Sequence, residues 1–117
     1  MMLRRPDEME IDSAEKLRGG EGIVSNRHLF KKEELLAKTR LVAVTTLPVG
    51  ASIGFHRHVN EEEIYYIISG KGQVIDEDQT KEVSPGYAML TGNGKGHSII
   101  NTGDQPLVFL AVILLYN

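Results

Sequence analysis

The chain has 117 residues, 13 Lys+Arg against 16 Asp+Glu for a formal charge of -3, 41% hydrophobic and 25% charged residues, and no cysteine. These values exclude a disordered or fibrous chain and leave no room for a second domain, and the lack of thiols excludes a disulfide framework and a thiolate metal site. With no dense basic cluster, no N-terminal h-region and no apolar run near the ~20 residues of a membrane helix, the chain is expected to bind neither nucleic acid nor membrane and to be cytoplasmic.

Residues 1–22 are polar, and an Asp12-Ser13 start signal ahead of AEKLR, stopped by Gly19-Gly20, predicts one helical turn at most. Gly22 to Phe30 has the β-branched and aromatic character of a strand, whereas KKEELLAK reads as a short helix or a polar loop. From Arg40 onward the segments LVAVTTL, ASIGFHRH, EIYYIIS, GQVID, EVS, YAMLT, HSII and PLVFLAVILL all have strand composition. Turn signals separate them, among them Pro48-Val49-Gly50, Ser69-Gly70, Pro85-Gly86 and Thr102-Gly103-Asp104. Many short strands with regular turns predict an all-β antiparallel sandwich or barrel. The organisation read from this is one domain overall: an N-terminal arm and first strand over 1–30 and a barrel over 31–117.

His56 and His58 stand two apart, which on a strand puts both imidazoles on one face, about 6–7 Å apart at Cβ. Glu63 opens the next strand after a turn at Val59-Asn60, and His97 opens HSII. Three imidazoles and a carboxylate suit Mn, Fe, Co, Ni or Zn, and an octahedral ion would keep two positions open for substrate or water. On spacing alone, a surface H-x-H pair beside a solvated acidic turn of Glu61, Glu62 and Glu63 accounts for these residues equally well.

The glycines separate those readings. Gly50-x5-His56-x-His58-x4-Glu63-x6-Gly70, then Gly86-x5-Gly92-x-Gly94-x2-His97-x3-Asn101, resembles the two signature motifs of the cupin family, with Gly92 standing where the second motif has proline. Glycine there removes a fixed φ and predicts a looser approach to His97. GNGKG also resembles a phosphate cradle, but no helix follows to complete one. The resemblance implies a double-stranded β-helix, the cupin jelly-roll barrel, with an N-terminal arm. It further implies a divalent metal ion (Mn, Fe, Ni, Co or Zn) held by His56, His58, Glu63 and His97. Its implied function is a metalloenzyme, or else a non-catalytic binding module, for a small oxygen-rich metabolite. The small single-domain members it most resembles are often called oxalate-decarboxylase-like or sugar-phosphate-isomerase-like, names that rest largely on fold analogy.

The catalytic residues stay unassigned: Glu61 and Glu62 are the nearby carboxylates available as a protonatable group. Tyr65 shares a face with Glu63 and is a candidate substrate contact, and Arg40 or Arg27 could orient a carboxylate. His28 lies outside both motifs and reads as a strand residue, while Asn101 reads as a tie for a turn. Glu63 to Ile68 and Leu107 to Leu115 are apolar on both parities, which predicts a homodimer packed sheet to sheet.

Overall fold

The computed structural model describes residues 1–117. Ten strands form: β1 Glu10–Glu15, β2 Ile23–His28, β3 Thr39–Leu47, β4 Ser52–Arg57, β5 Glu61–Ser69, β6 Gly72–Asp76, β7 Gln79–Val83, β8 Ala88–Gly92, β9 Gly96–Asn101 and β10 Leu107–Leu115. They make two antiparallel sheets, one of six strands in the order β1-β2-β3-β10-β5-β8 and one of four in the order β4-β9-β6-β7. Consecutive strands alternate between the sheets often enough that the two faces close on each other as a jelly roll.

Alternating side chains build the core. Along β10, Leu107, Phe109, Ala111 and Ile113 are buried, whereas Val108, Leu110, Val112 and Leu114 on the other parity are half-buried. Along β5, Glu63, Tyr65 and Ile67 point inward, and Tyr66 and Ile68 are exposed. Val74 and Ile99 from the smaller sheet meet Phe109, Leu107 and Leu47 from the larger one. Gly50, Gly70 and Gly86 all sit at turns with φ between +82° and +92°, as their motif positions imply. At Gly70 the chain also passes so close to the Pro106 backbone that a Cβ would collide with it. Asn101 ties the β9–β10 turn, its Nδ2 donating to the Leu47 and Gln105 carbonyls at 2.9 and 2.8 Å and its Oδ1 accepting from the Gly103 N–H at 2.9 Å.

The N-terminal region differs from the sequence reading. Ala14 and Glu15 belong to β1, and the helical turns of this region are the 3-10 turns Pro6–Glu8 and Leu17–Gly19 on either side of it. β1 pairs with β2 from Glu10↔His28 to Glu15↔Ile23, so Asp12 stands opposite Asn26, reaches His28 diagonally with its side chain, and does not cap a helix. Non-local strand pairing satisfies six residues of backbone where one helical turn would satisfy fewer. In KKEELLAK, Lys32–Glu34 is a 3-10 turn, and a loop follows it.

The turn at Gly92 is also firmer than expected. The Tyr116 hydroxyl accepts from the Asn93 N–H at 3.0 Å and fills the space a Cβ on Gly92 would occupy. A side chain from the far end of the chain thus restrains the turn that lacks the proline.

Candidate metal centre

β4 and β9 are neighbours in the smaller sheet, and their register places His56 directly opposite His97. His58 follows just past the end of β4, on the same face as His56. Glu63 comes from the other sheet, where it pairs with Ile113 on one side and Thr91 on the other. Both sheets therefore send side chains to one point between them.

The donor atoms meet there. His97 Nε2 lies 3.0 Å from His58 Nε2 and 3.1 Å from His56 Nε2, and Glu63 Oε1 lies 3.0 Å from His58 Nε2 and 3.1 Å from His97 Nε2. All four donors fall within 4.8 Å of one another, and only His56 is not fully buried. Two ligands at right angles on an ion with bonds of roughly 2.1 Å would stand about 3.0 Å apart, the spacing seen here.

The outer nitrogens decide what the inner ones offer. His56 Nδ1 donates to the Gly54 carbonyl at 2.7 Å, and His58 Nδ1 donates to Glu61 Oε2 at 2.5 Å, since neither oxygen can donate. Their Nε2 atoms therefore present lone pairs inward in the neutral state. His97 Nδ1 is held by the Thr91 hydroxyl at 3.1 Å. Glu63 Oε1 is buried, and no hydrogen bond reaches it. Lone pairs and a carboxylate facing one another in a buried space repel unless a cation stands between them. The residues therefore fit a metal ion.

Burial would raise the Glu63 carboxyl, but contacts with His58 and His97 hold it down to about 2. Burial holds the His56 imidazole below its ordinary value. For His58, burial is outweighed by Glu63 and Glu61, which raise it. Glu61 is itself gripped by Arg40, whose Nε and Nη2 donate to its two oxygens at 2.8 Å each.

That fork engages two of the sequence candidates. Arg40 lines the cavity wall, but its Nε and Nη2 donate to Glu61, which in turn accepts from His58. Arg27 projects to the outer face of the larger sheet among Ile11, Val44 and Val108. Glu62 also points away, toward the Tyr116 hydroxyl at 3.3 Å. His28 stays out of the cluster and pairs with Asp12 at 2.7 Å.

A cavity of about 240 Å³ opens on the cluster, lined by His56, His58, Glu63 and Tyr65 at its base and by Asp12, Arg18, Asn26, His28 and Thr45 higher up. Tyr65 is buried, stacks on His97 with ring centres 4.9 Å apart, and leans on Phe109 at 4.6 Å. Burial and the neighbouring Glu63 carboxylate push its phenol well up, so it stays protonated. A second cavity of about 340 Å³ between β7 and β8 reaches His97 and Thr91 from the other side, but His56, His58 and Glu63 do not line it. Sequence reasoning missed Asp12, Asn26 and Thr45, which the β1–β2–β3 register brings over the mouth, and Arg18, which the Leu17–Gly19 turn packed on β4 places there.

A closed barrel of two antiparallel sheets with three imidazoles and one carboxylate converging inside it is the architecture of a cupin. The family model described as a cupin domain matches residues 43–113, and the chain belongs to that family. It is 42% identical over 114 residues to the oxalate-binding protein of Thermotoga maritima, covering 97% of this chain and 94% of the relative. A solved structure from Thermotoga maritima, described as a predicted oxalate decarboxylase, superposes with a TM-score of 0.92 at 42% identity, over 97% of this chain and 99% of that one. Oxalate decarboxylase of Bacillus subtilis is 33% identical over 99 residues, 80% of this chain but 25% of the relative.

Glu61 has a measurable consequence. Carboxylates that hold a ligating imidazole by its outer nitrogen typically contribute 10–100-fold to metal affinity. Glu61→Gln is therefore expected to weaken metal binding about 10–100-fold in competition with a chelator. Because Glu63 and Glu61 raise His58 in the metal-free protein, protons compete with the metal for its Nε2, and apparent metal affinity should weaken as pH falls through that raised value. In the variant one of the two raising carboxylates is lost and release should shift to lower pH. A variant with unchanged affinity and pH profile would show that Glu61 does not orient His58.

Proposed function

We propose that this cupin holds a divalent metal ion (Mn, Fe, Ni, Co or Zn) on His56, His58, Glu63 and His97 and uses it to bind a small dicarboxylate such as oxalate, with Tyr65 as the cavity wall beside it. The observation that carries this reading is the convergence of three Nε2 lone pairs and Glu63 Oε1 at spacings of 3.0–3.1 Å. A bound divalent ion would supply Lewis acidity and open positions for two oxygens. The cavity of about 240 Å³ suits a ligand of a few heavy atoms, and the relative from Thermotoga maritima is an oxalate-binding protein. The N-terminal arm over residues 1–30 contributes Asp12, Arg18, Asn26 and His28 and acts as the roof of the barrel over 31–117.

Binding without turnover is the reading favoured by the carboxylates: Glu61 and Glu62 are both engaged away from the cavity. The enzymatic reading rests on one observation, the Asp12–His28 pair, a carboxylate and an imidazole in contact at 2.7 Å in the wall of the same cavity. The test is calorimetric titration of oxalate into metal-loaded and metal-stripped protein, followed by assay for turnover with Mn or Fe. Binding only with metal is expected; equal affinity after stripping would place the ligand elsewhere.

The outer face of the larger sheet supports a homodimer. Tyr66, Ile68, Leu90 and Ile11 are exposed there, and the buried Arg27 Nε has no acceptor. A second copy packed on this face would cover the apolar side chains and offer Arg27 a partner. Sedimentation should give a species of twice the 13.0 kDa chain mass; a 13.0 kDa species at micromolar concentration would contradict the dimer.

A further inference from the structure

The six arginines divide cleanly. Arg4, Arg5, Arg40 and Arg57 are in ion pairs with carboxylates, and Arg27 lies on the outer face of the larger sheet. Arg18 alone lines the cavity above the metal cluster with no carboxylate within ion-pair distance.

Its placement is built rather than incidental. Lys16 and Arg18 both adopt the left-handed conformation, with φ of 54°, which residues bearing a Cβ enter only when the surroundings enforce it. The enforcing contacts are visible. The turn Leu17–Gly20 lies on β4 so closely that a Cβ on Gly20 would collide with the Ser52 carbonyl, and one on Gly54 with the Arg18 carbonyl. Ser52 N–H donates to the Glu21 carbonyl and Glu21 N–H to Ser52 Oγ, both at 2.8 Å. Gly54, on which the Arg18 backbone rests, also accepts the His56 Nδ1–H. One glycine therefore fixes both the backbone that carries Arg18 and a metal-ligating imidazole.

Charge accounting shows what that guanidinium is for. A divalent ion with one carboxylate and three neutral imidazoles carries a net charge of +1. A bound monoanion neutralises it, whereas a dianion leaves an excess negative charge in a low-dielectric cavity. Asp12 is paired with His28, and Arg40 with Glu61, so neither pair supplies the missing positive charge. We infer that Arg18 forms an anion subsite at the cavity mouth that pairs with the distal oxygens of a metal-chelating dianion and makes the site select dianions over monoanions.

This inference rests on the metal-dependent binding proposed above, and the experiment separates the two. Oxalate, a dianion, and glycolate, a monoanion that also offers two oxygens, are titrated into metal-loaded wild type, Arg18→Gln and Arg18→Lys. Metal content and melting temperature are checked for each protein. Wild type should prefer oxalate, and Arg18→Gln should lose about 10–100-fold of oxalate affinity with little change for glycolate. Arg18→Lys should recover part of the preference, since it keeps the charge and loses the fork. An unchanged oxalate-to-glycolate ratio in fully metal-loaded Arg18→Gln overturns the Arg18 assignment alone. Metal-loaded wild type that binds neither anion overturns both readings.

Discussion

Replacing His97 by alanine will empty the metal centre. His97 Nε2 touches every other donor, lying 3.0 Å from His58 Nε2, 3.1 Å from His56 Nε2 and 3.1 Å from Glu63 Oε1. The change removes one bond to the ion, and no side chain nearby can replace it, because Thr91 bonds the outer nitrogen and Tyr65 stacks on the ring face. The loss should exceed the roughly 10–100-fold of an outer-contact variant, leaving the purified protein with metal far below one equivalent. His28→Ala is the matched control and should keep full occupancy, since His28 pairs with Asp12 outside the cluster. Elemental analysis checks both, and full metal in His97→Ala would remove His97 from the ligand set.

The largest effect on stability is expected at Phe109. Its side chain is fully buried at the centre of β10 and supports Tyr65 at 4.6 Å, which in turn supports His97. Phe→Ala in such a position costs about 3–5 kcal/mol, from lost transfer energy and from the cavity left behind. Against a total stability on the order of 5–15 kcal/mol, that is a large fraction. Denaturant unfolding of the metal-free protein should show a loss in this range at nearly unchanged slope. A loss below about 1 kcal/mol would mean that the core closes over the vacancy.

The strands from Arg40 onward could be read in the sequence because composition and turns agree. The β10 segment is apolar on both parities, and every break carries glycine, proline, asparagine or an acidic turn residue. The cluster could also be read, since its four residues lie at spacings tied to glycines whose backbone the fold requires. The polar segment EIDSAE carries no strand pattern, and it became β1 only because β2 offered it a partner. The roof of the cavity was hidden for a similar reason: Thr45 faces Asn26 through the β2–β3 register, and Arg18 reaches the cavity from a turn packed on β4, neither of which a local window contains. The pairing of Arg40 with Glu61 was not legible, because it spans 21 residues and the sequence shows both simply as charges. Local signals thus locate the His/Glu cluster, whereas the cavity above it is assembled by contacts between distant segments.

X-ray absorption of the protein loaded with Mn or Zn tests the central claim most directly. The account predicts one ion per chain with three imidazole nitrogens and one carboxylate oxygen at roughly 2.1 Å, and light-atom scatterers from solvent or oxalate in the remaining positions. A metal with fewer than three imidazoles in its coordination sphere, or a chain that takes up no stoichiometric metal, would contradict it.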